Sequence, residues 1–157
     1  MTRVWIGISA TLLAAVWLGM LIGISFLATP VKFQAPTLEL ANALDVGRVT
    51  FGLFSRVEWT IAAILLALVA YLRFSAWSAA LLAVIICALV LQGTWLLPVL
   101  TERAERIIAG EVFNSSNHHL IYIGCEAVKA LALATFAAIG ASRWLRAERG
   151  GQSASQA

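Results

Sequence analysis

Leu120–Ala141 reads LIYIGCEAVKALALATFAAIGA, a run of 22 residues in which only Glu126 and Lys129 are charged. At about 1.5 Å per residue such a helix is about 33 Å long, enough to cross the roughly 30 Å hydrocarbon layer of a bilayer. A carboxylate or an ammonium at that depth costs roughly 2.5–3.5 kcal/mol on insertion scales. A chain carries such groups only where a buried partner, a watery cavity or a bound ion compensates them. One helical turn separates the two, so each is within reach of the other.

Working outward, three more apolar runs appear. Val4–Leu27 lies between Arg3 and Pro30 and exceeds the about 7–15 residues of a signal-peptide core, so it reads as a retained helix. Trp59–Leu72 is uncharged but spans only about 21 Å, and so must recruit residues from about Leu53, drawing Arg56 and Glu58 below the surface. Trp77–Leu100 contains Pro98 near its end. The expected fold is all-α, a four-helix transmembrane bundle in one domain over 1–149, with helices at about 4–28, 53–72, 77–97 and 119–142. Leu40, Ala41 and Leu44 predict a short interfacial helix at about 37–47, ending near Gly47. Asn114-Ser115-Ser116-Asn117 offers an N-cap for the last helix, and the Gly/Ser/Gln-rich tail 150–157 reads as disordered.

Composition agrees with that class. The chain is 61% hydrophobic and only 12% charged, where soluble domains run near 25% charged. Its formal charge of +3 is thinly spread at the ends of apolar runs, which points to membrane orientation and not to nucleic acid. Cys87 and Cys125 lie inside apolar runs and read as small hydrophobes, not as a disulfide. Five basic residues fall on each side of the bundle. The cluster Arg143, Arg146 and Arg149 tips the balance towards cytoplasmic termini in a cell (inner) membrane.

Alternating helix direction turns these boundaries into depths. Counted from the loop-side edges at about 1.5 Å per residue, Glu58 lies about 7–8 Å deep, Gln92 about 6 Å, Glu126 about 9 Å and Lys129 about 13 Å. Lys32, at the loop-side end of the first helix, can reach the same layer, as can Arg56. In the first helix Gly7, Thr11, Ala15, Gly19 and Gly23 form a small-residue ridge suited to close packing. In the last, Ala130, Ala134, Ala138 and Ser142 continue the row headed by Glu126, which should turn that carboxylate inward.

Two readings of the layer Glu58, Glu126, Lys129, Lys32, Arg56 and Gln92 stay open. It is either an ion-pair network that fixes helix register, or a site that binds or relays a proton, a cation or a small polar ligand. A third possibility for the whole chain is an accessory or structural subunit of a larger membrane complex. The expected partners are membrane lipid and another protein or a second copy, with no nucleic acid. His118 and His119 are weak metal candidates, since adjacent histidines point about 100° apart on a helix. No HExxH, CxxC, nucleotide fingerprint or nucleophile–base set occurs, so neither a cofactor nor an enzymatic reaction is expected. Trp77, Trp95, Trp144, Tyr71 and Tyr122 fall near segment ends as interfacial aromatics do, with Trp5 beside them. Trp17 reads as a packing residue.

GISFLATPVKFQAP at 23–36, WLLPVL at 95–100 with Arg103 and Gly110, and His119 with Tyr122, Glu126 and Lys129 resemble uncharacterised small bacterial integral membrane proteins. More distantly, the helix-ending proline followed by Lys-Phe is similar to the transmembrane protein 205-like family. The resemblance implies a four-helix fold and a membrane location, and no reaction. The chain departs from haem-binding four-helix proteins, which carry an early histidine that is missing here.

Overall fold

The computed structural model describes residues 2–73, 75–111 and 116–154, with side chains to position 146. Four helices account for nearly all of it: α1 Thr2–Lys32, α2 Leu40–Leu72, α3 Ala76–Ile108 and α4 His118–Ala154. Each contains a stretch long and apolar enough to cross a membrane. Their outward faces are apolar as well, with Leu12, Val16, Leu66, Val84 and Leu131 exposed. Water would penalise such a surface, whereas lipid chains match it.

α1 and α3 both run through a proline that should have stopped them. A proline lacks the N–H of the α-helical ladder, and its ring strikes the carbonyl four residues back. Here the turn before each proline is widened into π-helix, at Ile22–Ala28 and at Gln92–Leu96. Thr29 N–H reaches back to Ile24 O and Leu97 N–H to Gln92 O, both five residues away, which makes room for Pro30 and Pro98. α1 therefore continues to Lys32 and α3 to Ile108, beyond the expected ends near 28 and 97.

The short helix expected at 37–47 is not separate, because Leu40 opens one continuous helix to Leu72. Gly47 does not stop it but sits buried inside it, where a Cβ would collide with Lys32 Nζ. At about 1.5 Å per residue α2 and α3 each extend about 50 Å, longer than a bilayer core. The excess packs together: Ala43 and Gly47 of α2 are buried with Ala104 of α3, and Arg48 bonds Asp45 at 2.7 Å and Glu105 at 3.3 Å.

Arg73 ends α2 in the left-handed conformation at φ 50° and opens the hairpin to α3. α3 closes on Gly110 at φ 86°, with Gly110 N–H on Ile107 O and Glu111 N–H on Arg106 O. That is the paired bonding of a Schellman stop, in which glycine takes the left-handed turn without strain. Before α4, Ile121 N–H takes Asn117 O and His118 Nδ1 lies 3.0 Å from Ser116 Oγ. The rest of the expected cap, Asn114 and Ser115, lies outside the described residues, as do positions 155–157 of the tail.

Each helix packs on two neighbours, α1 on α2 and α4, and α3 on α2 and α4. The half nearest the termini has an apolar core that includes Ala10, Ala14, Leu65, Ile85, Leu133 and Phe136. The two expected small-residue rows do not line it. Ala15 and Gly19 are exposed, with open space beside Gly19 and Gly23, and α1 presents Ala10, Ala14, Trp17 and Leu21 instead. In α4, Ala134, Ala138 and Ser142 face outward, and Glu126, Lys129, Leu133 and Phe136 face in. The reason is geometric, since a step of four residues advances 400° and drifts about 40° per step, whereas alternating threes and fours hold one face. At the far end Gly140 of α4 receives Thr11 of α1 and leaves no room for a Cβ.

Candidate functional site

On the loop side of this apolar core the four helices converge on charge. Lys129 is 0% exposed, Glu126 1%, Glu58 2% and Gln92 4%. Lys129 Nζ donates to Glu58 Oε1 at 2.6 Å and lies 2.8 Å from Glu126 Oε1. The ammonium thus bridges a carboxylate of α2 and one of its own helix, three residues back. Such distances belong to charge-assisted bonds, the stronger kind, and in low dielectric they offset part of the desolvation cost of the ions.

Each carboxylate is completed by a different neighbour. Trp17 Nε1 donates to Glu58 Oε1 at 3.0 Å, so Glu58 is closed over by the indole of α1. Glu126 receives Gln92 Nε2 on Oε1 at 2.7 Å and Ser25 Oγ on Oε2 at 2.8 Å. Ser25 and Gln92 both belong to π-helical turns. The widened turns ahead of the two prolines therefore supply two neutral donors to Glu126, in keeping with the frequent placement of π-bulges at functional sites. Gln92 Nε2 also faces Tyr122 O at 3.4 Å, while its Oε1 is buried without a hydrogen-bond partner among the described residues.

The two carboxylates differ in access. A cleft of about 200 Å³ between α1 and α4 is lined by Glu126, Ser25, Thr29, Phe51, His119 and Tyr122. Glu58 does not border it. A neighbouring cavity of about 120 Å³ nearer the loop end shares Thr29, Phe33, Phe51, His119 and Tyr122 with the cleft, and is walled further by Lys32 and Arg48.

Of the residues singled out from the sequence, the structure brings Glu58, Gln92, Glu126 and Lys129 into one cluster. Two others stand apart. Arg56 is on the exposed face of α2, since two residues along a helix turn about 200° and put it opposite Glu58. Lys32 lies over the Phe33 ring at 5.0 Å and against Gly47, outside the ion-pair cluster. His118 stacks edge-on with Trp95 at 5.6 Å, and His119 lines both cavities. Among the described residues no three His, Cys, Asp or Glu side chains are grouped to hold a metal ion. Both cysteines are free, and Cys87 points outward instead of into the core.

Sequence reasoning missed Trp17 and Ser25. A signal existed for the first, because a tryptophan in mid-span carries an N–H that needs an acceptor when buried. For Ser25 the signal is weaker: a hydroxyl close before a helix-interrupting proline, where the disturbed ladder can turn it towards a neighbouring helix.

The fold and this centre define a class: a polytopic four-helix membrane protein built around a buried Glu–Lys–Glu cluster. Residues 12–108, more than half of the chain, match the family described as domain of unknown function (DUF4149), and the chain belongs to that family. The matched segment holds Trp17, Ser25, Glu58 and Gln92, while Glu126 and Lys129 follow it on α4. No curated protein and no solved structure matches the chain.

Proposed function

We propose that the Glu58–Lys129–Glu126 cluster is a proton-binding centre, loaded and emptied at Glu126. The observation that carries this reading is a charge count combined with access. Two carboxylates share one ammonium, and it is Glu126, not Glu58, that lines the cleft between α1 and α4. With all three ionised, one negative charge is left in a dry, low-dielectric interior, and a single proton cancels it.

Gln92 suits both states of such a site. Its amide nitrogen donates to the ionised carboxylate. Turned over, its free carbonyl oxygen would accept the hydroxyl of a protonated Glu126. Ser25 can likewise donate to Oε2 or accept from it. Trp17, by contrast, can only donate, which keeps Glu58 as the fixed anionic partner of Lys129. Lys32 and Arg56 are not needed for this centre. In the same proposal the bundle sits in a bacterial inner membrane with cytoplasmic termini, so the cleft faces outward. That placement is supported by the arginine cluster towards the end of α4 and by the resemblance of 23–36 and 95–100 to small bacterial integral membrane proteins.

Infrared difference spectroscopy of the purified protein across a pH titration tests the idea. A protonated-carboxyl band should appear on acidification, vanish in Glu126→Gln, and move to lower pH in Glu58→Gln, which removes the surplus negative charge and leaves Glu126 paired with Lys129 alone. A band that survives Glu126→Gln sinks the assignment to Glu126, and no protonatable band at all sinks the proton reading.

A further inference from the structure

The cavity nearer the loop end holds a cation that the proton-binding centre does not use. Lys32, the last residue of α1, lays its ammonium against the backbone of α2 at buried Gly47, where any side chain would displace it. Its one described interaction is with the ring of Phe33, and no carboxylate pairs with it among the described residues. Arg48 borders the same space. The acids that hold Arg48, Asp45 and Glu105, are not part of the wall. The polar side chains that line the cavity are the two cations, Thr29, Thr101, His119 and Tyr122, none of them an acid, and most of the remaining lining is apolar, including Leu44, Leu97 and Leu100.

A cation pinned by a glycine in a cavity without acids is half of an ion pair. We infer that this cavity binds an anionic membrane phospholipid, its phosphate on Lys32 and its upper acyl chain along the apolar wall. Charge complementarity selects the anion. The apolar lining selects a lipid over a free ion, because inorganic phosphate would leave that wall in contact with water. The shared boundary with the cleft between α1 and α4, where Phe26, Pro30 and Ile123 add apolar surface, supplies room for the chain to continue. Arg48, already neutralised by its own acids, adds a second donor at the rim. This inference does not rest on the proton-binding reading.

The test uses the full chain purified in a neutral detergent and titrated with phosphatidylglycerol, phosphatidylcholine or inorganic phosphate, with bound lipid counted by native mass spectrometry. Phosphatidylglycerol should bind, phosphatidylcholine should bind several-fold more weakly because its choline meets the cationic wall, and inorganic phosphate should not displace the lipid. Lys32→Met should weaken phosphatidylglycerol about tenfold or more, and Lys32→Arg should keep most of the binding. Gly47→Ala should weaken binding with the lysine still present, since the new Cβ moves the ammonium. A melting curve for each variant separates loss of binding from loss of fold, and Lys32→Arg carries the test if Lys32→Met does not fold. Equal binding by wild type and a folded Lys32→Met, equal affinity for the two lipids, or displacement by inorganic phosphate overturns the inference. Lys32 lies outside the ion-pair cluster, so a folded Lys32→Met should keep the protonated-carboxyl infrared band of Glu126 while losing lipid, and failure here and failure of the proton-binding centre read out separately.

Discussion

On the terminus side of Trp17 the helices meet through Ala10, Ala14, Leu65, Ile85, Leu133 and Phe136, and on the loop side through Glu58, Gln92, Glu126 and Lys129. The first set packs by shape. In lipid such contacts have no hydrophobic drive behind them, because acyl chains are as apolar as leucine, so fit alone holds the helices together. The second set packs by direction: each bond has a donor, an acceptor and an angle, and a helix rotated by one residue loses it. The apolar half can tolerate small sliding and rotation. The polar half sets which rotation is native, and one of its carboxylates, Glu126, borders a cleft.

The sharpest way to break this contrast is Lys129→Met. It strands two carboxylates in the interior, and removing one partner of a buried pair costs about 3–5 kcal/mol. Thermal melts in detergent should fall well below wild type, and adding Glu58→Gln with Glu126→Gln should recover much of the loss. An unchanged melting temperature for the single variant would show that the cluster contributes nothing to register.

Trp17→Phe is next. It keeps the aromatic bulk at the boundary between the halves but removes the donor to Glu58, a bond to a charged group worth about 1.5–3 kcal/mol. Trp17→Leu should cost more, through lost packing as well. If Trp17→Phe melts with wild type, the indole belongs to the apolar half alone.

Gly140→Ala probes the shape-packed side, since its Cβ falls on the Thr11 side chain. Overpacking of this kind costs about 1–3 kcal/mol, and Thr11→Ala added to it should relieve most of the strain. The charged cluster should stay intact throughout, with the carboxyl infrared signature as the readout. A change in that signature would mean that the halves are not independent.

Arg73→Gly should give the smallest effect and the opposite sign. A non-glycine residue at φ 50° bears a left-handed penalty of about 1 kcal/mol that glycine avoids. The melting temperature should rise slightly, with lipid binding and protonation untouched.

Much of the fold could be read from the sequence because apolar length is a one-dimensional property. Depth is too: counting from the ends of the runs put Glu58, Gln92, Glu126 and Lys129 at similar levels, and these four meet. Rotation about the helix axis is where the reading failed. Arg56 shares the depth of Glu58 but is turned about 200° from it, and the every-fourth-residue rows of α1 and α4 drift out of contact. The helix ends near Pro30 and Pro98 were placed short for another reason. A proline forbids only the regular α-turn, and neither widened turn leaves a pattern in residue type. Ser25 was hidden by the same irregularity, since its partner depends on a ladder that is no longer α-helical there.

Each widened turn holds one residue more than an α-helical path of the same length. α1 and α3 therefore carry a spare residue that α2 and α4 lack. A deletion at Leu27 or Thr94 can be taken up by tightening the turn, leaving the residues on either side on their faces with a proline kink between them. The same deletion at Val128 swings everything after it by about 100° and carries Lys129 away from both carboxylates. Changes in chain length are thus absorbed beside the two prolines and not along α4.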